Sequence, residues 1–329
     1  MAYVSIGPPD QQRLRESDRG QLLIVAGLVM AVSLVALVVL LNATIYSENV
    51  ATRGIEPADG EATEMRSSAV EGVGETIDAV NRVHDGSDAP TSDVLAGVDE
   101  LEERLSLRSA RRGGLVGVET GPDRVTNGTR LDTTGNDSSL ANATNATSYE
   151  FAGEIDRTRA FSIDVDIDGL AEATPSSASE DAFHFVIDPD GNESREVYLY
   201  ADSDDVVVAI GDDGVDPTVA CRLDPDGAER VTVDITGEEL NGSPCPGIWP
   251  SDRVDLNDER SIRVENGDAA AGEIRSTVRP VDTEAGVATD VAAEDVAGAV
   301  YDLTIDLRYD TAELWFETTV RVAPGEPDV

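Results

Sequence analysis

Hydrophobic and polar positions follow three different patterns along the chain. Leu22 to Leu41 is a run of 20 residues without a charge. Between residues 61 and 108 the apolar positions recur every three or four residues, which is the period of a helix packed on one face. From about residue 149 they alternate with polar positions, which is the period of a strand. The patterns predict an α+β protein with an apolar N-terminal helix, a helical pair and a β-rich domain.

The uncharged run has the length of a membrane span, because 20 helical residues extend about 30 Å. A buried core helix is the alternative, but soluble cores rarely hold a helix that is apolar all round. Three arginines precede the run within ten residues, and the next arginine is Arg53. This bias of positive charge predicts a cytoplasmic leader over residues 1–20 and an extracellular C-terminal domain. The transmembrane anchor helix is predicted over residues 21–52, with the lipid bilayer as its partner.

Two further helices are predicted behind the anchor. Met65 to Val80 and Val94 to Leu105 both carry apolar residues at helical spacing, with a turn-rich break between them. We expect them to pair as a helical hairpin over residues 53–114. Four arginines cluster near the end of the second helix, where they complement its dipole, although a partner or anionic lipid is an alternative contact. They are Arg104, Arg108, Arg111 and Arg112.

The segment between the helices and the alternating region is polar. Thr, Asn, Ser and Gly make up 15 of the 23 residues in 126–148. We therefore predict that residues 115–148 form a polar, glycosylated linker.

The alternating region predicts short antiparallel strands. Phe161 to Asp168 alternates without a break, and the sequences Asp188-Pro-Asp-Gly and Asp224-Pro-Asp-Gly predict tight turns between strand pairs. About nine or ten such strands are typical of an antiparallel β-sandwich. We assign this fold to the ectodomain, residues 149–329.

The charge of the chain is strongly one-sided. Its formal net charge is −42, every one of its 24 cations is arginine, and residues 1–41 contribute nothing because three arginines balance three acids. In molar salt the Debye length falls to about 3 Å, so the self-repulsion of such a surface is screened. The composition indicates an extreme halophile, and it argues against nucleic acid as a partner.

The flank of the anchor reads Asp18-Arg19-Gly20-Gln21-Leu22. It resembles the class III signal of archaeal type IV pilin-like proteins, and the stretch led by Arg19-Gly20-Gln21 also resembles uncharacterised haloarchaeal membrane proteins. The resemblance implies cleavage between Gly20 and Gln21, with the apolar helix retained for packing in a filament core or the membrane. Many bacterial pilins carry Glu at the fifth mature position, where this chain has Val25. A signal anchor that is never cut is the alternative.

Glycan acceptor sequences are frequent. Seven of the 11 asparagines lie in Asn-x-Ser/Thr sequences, whereas chance predicts about one or two. This excess predicts glycosylation on an exported surface, although Asn-Gly turns also create such sequences. The seven are Asn42, Asn127, Asn136, Asn142, Asn145, Asn192 and Asn241.

The two cysteines, Cys221 and Cys245, both follow the anchor. An even count in an exported domain predicts one disulfide, with two unpaired buried thiols as the alternative.

No pattern indicates catalysis. Asp164 to Gly169 matches the start of an EF-hand loop, but Pro175 stands where its bidentate Glu is required. His84 and His184 are far apart, and the chain has no lysine for catalysis. We expect no enzyme activity, no cofactor and no metal site.

These patterns together predict a membrane-anchored cell-surface protein with a pilin-like structural or interaction role. Other pilin-like subunits or envelope proteins are its expected partners. The alternative is an uncleaved, anchored extracellular binding module of unknown ligand.

Overall fold

The computed structural model describes residues 60–133, 139–189, 194–212, 216–250, 260–282 and 285–327, together with Met30 and Leu34. The chain divides into two compact units, Met1–Glu64 and Met65–Val329. In the first unit Met30 and Leu34 are helical and exposed. The rest of the predicted span and the Gly20–Gln21 junction lie outside the described residues. Among the helices that are described, none combines the length and the apolar character needed to cross a membrane.

Three α-helices and fourteen strands make up the described fold, joined by short 3-10 turns. The helices are α1 (residues 60–83), α2 (Thr91–Ala110) and α3 (Ala178–Asp181). The strands are β1 (Leu115–Glu119), β2 (Val125–Thr133), β3 (Tyr149–Asp166), β4 (Phe183–Pro189), β5 (Arg195–Asp202), β6 (Asp205–Asp212), β7 (Thr218–Leu223), β8 (Arg230–Asp234), β9 (Glu239–Leu240), β10 (Ser243–Pro244), β11 (Arg260–Glu265), β12 (Ala271–Pro280), β13 (Val296–Asp310) and β14 (Trp315–Val322). The 3-10 turns are Pro122–Arg124, Ile167–Gly169, Gly267–Ala269 and Ala293–Asp295.

Helices α1 and α2 pack closely against each other because glycine occupies the contact on both sides. A Cβ atom added to Gly97 of α2 would lie 2.5 Å from the Thr76 methyl of α1. A Cβ atom added to Gly72 of α1 would lie 2.9 Å from Leu101 of α2. Larger residues at these positions would force the two helices apart.

The strands form a single antiparallel sheet within the described part of the chain. Its main path runs β1-β13-β2-β12-β3-β11-β4-β5-β6-β7, with β14 on the other side of β13 and β8 to β10 branching from β3. The α+β class with an antiparallel sheet is therefore confirmed. All fourteen described strands belong to this one hydrogen-bonded sheet.

Strand β3 is the branch point of this sheet. Along one side it pairs with β12, while on the other side its first half pairs with β11 and its last five residues pair with β8. Glu154 and Ala160 adopt positive φ values of 56° and 50°, and the ladder with β12 shifts register near Ala160. Such bulges bend a strand. We call β11 and β4 to β7 the β11 branch, and β8 to β10 the β8 branch. The bend lets both branches bury side chains in one shared core.

We call this shared cluster the aromatic core. Phe161 stacks against Phe151 with 5.8 Å between ring centroids and meets Phe185 edge-on at 4.8 Å. Ile248 and Trp249, from the segment after β10, are buried in the same cluster. Aromatic pairs in these geometries contribute beyond their buried area.

A second cluster, which we call the helix–sheet core, lies under α1 and α2. It is mainly aliphatic: Val73 and Ile77 of α1 and Val98 of α2 pack against Leu303 and Leu307 of β13. The apolar stripe of each helix predicted from the sequence is the face that is buried.

Two strands, β1 and β2, lie within the segment predicted as a linker, residues 115–148. Strand β2 lies inside the sheet, between β12 and β13, with most of its side chains only partly buried. Further along, the Leu140 amide donates to the carbonyls of Gly267 and Ala270, both at 2.8 Å, and its side chain is buried in the aromatic core. The solvent face of β2 carries polar residues, which include Thr, Arg and Asp. Hydrogen bonds to β12 and β13 hold its backbone in the sheet.

Candidate functional site

Arg159 of β3 is a buried charged residue in the large unit that makes three side-chain hydrogen bonds. Only 1% of its surface is exposed. Its Nη1 donates to Asp78 Oδ1 of α1 and to the Pro324 carbonyl, both at 2.9 Å. Its Nη2 donates to the Val300 carbonyl of β13 at 3.0 Å. One side chain thus connects a helix, two strands and the segment after β14.

A buried charge is stable only where it is paired and hydrogen-bonded. Arg159 meets this condition through the Asp78 carboxylate and two carbonyl groups. Its guanidinium carbon also lies 5.7 Å from the centre of the Tyr301 ring, within the range of a cation–π contact. We call the group formed by Asp78, Asn81, Arg159, Tyr301 and Glu326 the arginine junction.

Asn81 of α1 completes the junction on the side of β13. The Asn81 amide nitrogen donates to the Val300 carbonyl, and Asn81 Oδ1 accepts from the Val300 amide, both at 2.9 Å. The ladder between β13 and β2 shifts register between Val300 and Asp302. The buried side chain of Asn81 therefore satisfies backbone groups that this bulge leaves without a strand partner.

Glu326 closes the junction from the segment after β14. Its carboxylate accepts from the Tyr301 hydroxyl at 3.0 Å, from Arg157 at 3.3 Å and from Arg321, whose shorter contact is 2.5 Å. Burial alone would raise the pKa of Glu326. The hydrogen bonds and positive charge of Arg321, with smaller effects from Tyr301 and Arg157, outweigh burial, so the pKa of Glu326 is lowered. Burial, next to the charge of Glu326, raises the pKa of the Tyr301 hydroxyl. The carboxylate is thus held ionised and the phenol neutral, which suits a fixed structural contact.

The sequons lie in different environments. Asn127, Asn145 and Asn241 are exposed, and the last two have the positive φ of turn residues. Asn142 is only 7% exposed, and its Oδ1 accepts from the amides of Thr144 and Ala146 at 3.0 and 2.9 Å. A side chain fixed inside such a turn is poorly placed to carry a glycan, so the structure argues against Asn142 as an acceptor. Asn42, Asn136 and Asn192 lie outside the described residues.

The structure joins Cys221 of β7 to Cys245, with 5.4 Å between their Cα atoms. Cys245 is fully buried in the aromatic core. Strand β7 is the last strand of the β11 branch, and Cys245 directly follows β10, the last strand of the β8 branch. The disulfide therefore joins the ends of the two branches. It leaves no free thiol among the described residues.

The arginines at the end of α2 do not converge on a site. Arg108, Arg111 and Arg112 are exposed, and Arg104 pairs with Glu100 one turn earlier at 2.5 Å. A shallow groove of about 290 Å³ runs beside this pair. It is lined by Gly72, Glu75, Thr76, Ala79, Val80, Gly97, Glu100, Leu101 and Arg104. The glycines that line it are explained by the close helix contact described above.

Asp164 and Asp166 of β3, from the sequence that resembles the start of an EF-hand loop, each form an ion pair with an arginine. Asp164 accepts from Thr232 at 2.5 Å and from Arg275 at 2.7 Å, while Asp166 pairs with Arg230 at 2.6 Å. Alternation in the strand places both carboxylates on one outer face, opposite those arginines. Among the described residues no group of three or more His, Cys, Asp or Glu side chains could hold a metal ion.

The two histidines have separate structural contacts. His184 stacks on Tyr198 with 4.6 Å between ring centroids, and its Nδ1 lies 3.1 Å from the Ala182 carbonyl. His84 Nε2 lies 2.6 Å from the Asp88 carbonyl in the turn between α1 and α2. In each of these polar contacts a ring nitrogen lies at hydrogen-bond distance from a backbone carbonyl close in sequence.

Sequence reasoning missed the arginine junction. In the sequence Arg159 precedes the apolar alternation that begins at Phe161, and a second arginine, Arg157, stands two residues before Arg159. The junction residues Asp78 and Glu326 are distant in sequence, and nothing in the pattern points to them.

Comparison with known proteins gives one similarity. Residues 16–175 match a family described as "Family of unknown function (DUF7261)". The matched segment begins before the predicted anchor and extends through α1, α2 and β1 to β3, so it includes Asp78, Asn81 and Arg159 of the junction. No curated protein and no solved structure matches the chain.

Proposed function

We propose that this chain is a membrane-anchored protein of the cell surface of an extreme halophile, with a pilin-like structural or interaction role. It would be cut between Gly20 and Gln21, keep Leu22–Leu41 as its anchor and expose a glycosylated, layered β-domain to the medium. Its partners would be the lipid bilayer and other pilin-like subunits or envelope proteins.

The Cys221–Cys245 disulfide is the observation that carries this proposal. Disulfides form and persist in oxidising compartments and are rare in the reducing cytosol. The disulfide lies in the large unit, which follows the uncharged run in sequence. All of the net charge of −42 lies in residues 42–329. A domain built in this way behind an apolar anchor fits an exported, salt-exposed surface protein.

Two further features support the proposal. Asn127, Asn145 and Asn241 offer exposed acceptors at three places on the large unit. Asn81, the terminal nitrogens of Arg159 and Glu326 are engaged in structural contacts, which suits a structural or binding role better than a chemical one.

The decisive experiment measures the mass of the N-terminal peptide of the chain purified from membranes. We expect the native chain to begin at Gln21 and a Gly20→Val variant to keep residues 1–20. A matched Gly7→Val variant should still begin at Gln21, because Gly7 lies far from the junction. Native chains that retain residues 1–20 would overturn the pilin-like processing.

The second candidate is an uncleaved, anchored binding module. Val25, at the position where many pilins carry Glu, favours it. It requires the full leader in membrane preparations and no filaments on electron microscopy.

A further inference from the structure

Strand β14 has a free edge. It pairs with β13 along its whole length of eight residues. In the described part of the chain, no other hydrogen bond reaches its backbone. An open edge of this length, about 26 Å, presents unpaired amide and carbonyl groups to any strand that can lie beside it.

The other ends of the main sheet are held in different ways. At β1 the side chains of α2 satisfy the outer edge: Ser106 Oγ donates to the Val116 carbonyl at 2.8 Å, and Glu102 accepts from the Val118 amide at 3.3 Å. The outer backbone of β7, like that of β14, makes no further hydrogen bond among the described residues, but the disulfide from Cys221 fastens this strand to the segment after β10. Within the described residues, the edge of β14 has neither kind of attachment.

The charge of β14 differs from that of the rest of the protein. The chain as a whole carries −42, whereas β14 contains one acid, Glu317, and one base, Arg321, and is neutral. The exposed residues of its outer face alternate along the strand with half-buried or buried ones. They are Trp315, Glu317, Thr319 and Arg321. Self-association at this edge therefore avoids the repulsion that two acidic surfaces would otherwise meet.

The order of these residues makes the edge complementary to itself. If two copies of β14 lie antiparallel with their Thr319 residues opposite each other, Glu317 of each copy faces Arg321 of the other. Directly opposed residues of antiparallel strands share a face, so both ion pairs form on the outer side. Within each copy Glu317 also lies opposite Arg308 of β13, which places it between two arginines.

Arg321 is already ordered for this contact. It lies 2.7 Å from Asp302 and 2.5 Å from Glu326. A fixed guanidinium loses less side-chain entropy when it meets another carboxylate.

We propose that β14 is a homodimerisation edge that pairs with β14 of a second copy about a two-fold axis through Thr319. The sheet then continues from one molecule into the other. Such an interface is isologous, because the same strand is used on both sides, and it closes at two copies. The proposal rests on β14 alone and is independent of how the N-terminus is processed.

Cysteine cross-linking of the full-length chain, purified in mild detergent and molar KCl, tests the axis. Opposed Cα atoms in an antiparallel pair lie about 4.5 to 5.5 Å apart, within the range of a disulfide. A Thr319→Cys variant should give a covalent dimer on mild oxidation, with mass spectrometry identifying a link between the two residues at position 319. Thr232→Cys is the matched control, because Thr232 is also exposed on a strand but β8 has partners on both sides. Equal cross-linking of the two variants would overturn the proposal.

A second substitution tests the charge complementarity. When Glu317→Arg is added to the Thr319→Cys chain, the new arginine at position 317 of each copy faces Arg321 of the other copy. Both ion pairs across the axis are thereby replaced by pairs of like charge. We expect the protein concentration for half-maximal cross-linking to rise roughly tenfold. Glu103→Arg, an exposed site on α2, makes the same change in net charge and should leave that concentration unchanged. If both substitutions have the same effect, the proposed register is wrong.

Discussion

The two cores of the large unit are stabilised in different ways. The aromatic core buries phenylalanine side chains of β3 and β4 and contains one end of a covalent bond, Cys221–Cys245. The helix–sheet core is mainly aliphatic, and at its margin the arginine junction connects α1 to the sheet. Burial and a covalent link depend little on salt, whereas exposed ion pairs are screened. The guanidinium of Arg159, which is 1% exposed, should therefore be screened less than the exposed ion pairs of this protein.

Loss of Arg159 should have the largest effect and should be centred on the helix–sheet core. Arg159→Met keeps the length of the side chain but leaves the Val300 and Pro324 carbonyls and Asp78 without their donor. A buried hydrogen-bonding group left without its partner costs about 1–3 kcal/mol, whereas Asp78 is partly exposed and stays hydrated, so we expect a loss of roughly 3–4 kcal/mol in the free energy of unfolding. Denaturant unfolding in molar KCl measures it, and hydrogen exchange should show faster exchange in α1 than in β4–β7.

The control for this variant is Arg104→Met, which removes an exposed ion pair with Glu100. Exposed pairs of this kind contribute about 0.5 kcal/mol or less. If Arg159→Met and Arg104→Met cost the same, the junction does not hold the helices on the sheet.

Removal of the disulfide should have the next largest effect, confined to the aromatic core. The bond spans a sequence separation of 24 residues, and closing a loop of that size contributes roughly 3 kcal/mol in the chain-entropy model. A chain carrying both Cys221→Ala and Cys245→Ala should lose that much stability. Hydrogen exchange should become faster in β7 and residues 230–250, with α1 unchanged.

Reduction of the native chain without any substitution is the matched control, because it breaks the bond and keeps both sulfur atoms. Faster exchange in α1 than in β7 after reduction would contradict the separation of the two cores.

The smallest effect is expected at Glu326, and it should depend on pH. The folded pKa of Glu326 is lowered, so as pH falls through the ordinary glutamate pKa of about 4.3 the unfolded chain takes up the proton first. The stability from Glu326 is therefore present above that pH and lost below it. Glu326→Gln should cost about 1 kcal/mol near pH 7, and the difference from wild type should shrink between about pH 5 and pH 3.

Unfolding free energies measured at several pH values give this profile. Glu239→Gln, at an exposed residue of β9, is the control and should run parallel to wild type. A constant difference between Glu326→Gln and wild type at all pH values would show that the carboxylate is not held ionised by its neighbours.

The alternating pattern predicted the strands where it was unbroken. Phe161 to Asp166 lies in β3 with its apolar residues buried, and the turn after Asp310 is closed locally, where the Thr311 amide donates to the Leu314 carbonyl at 2.8 Å. Each of these features depends on residues close in sequence. Local periodicity is enough to specify them.

Strand β2 could not be predicted because its composition resembles that of a loop. Gly128 looks like a turn residue, yet an added Cβ atom would lie 2.6 Å from the Val278 carbonyl of β12. Glycine is needed there for the close approach of β12 and Tyr301, not for a turn. This contact joins residues about 150 positions apart and leaves no local signal.

Arg159 was missed for a related reason. Its burial depends on Asp78, which lies 81 residues earlier, and on Pro324, which lies 165 residues later. Strand β3 also contains Arg157 and several acidic residues, so its sequence does not single out Arg159 or name its partner.

The central place of β3 has a mechanical consequence. A pulling force on α1 would enter the sheet at Arg159, inside a strand of 18 residues. Near that point β3 is bonded to β12 on one side and, through its two halves, to β11 and β8 on the other. The load would act on many hydrogen bonds in shear, instead of opening them one at a time from an edge. Under tension we expect α1 to detach from the sheet before the sheet itself yields.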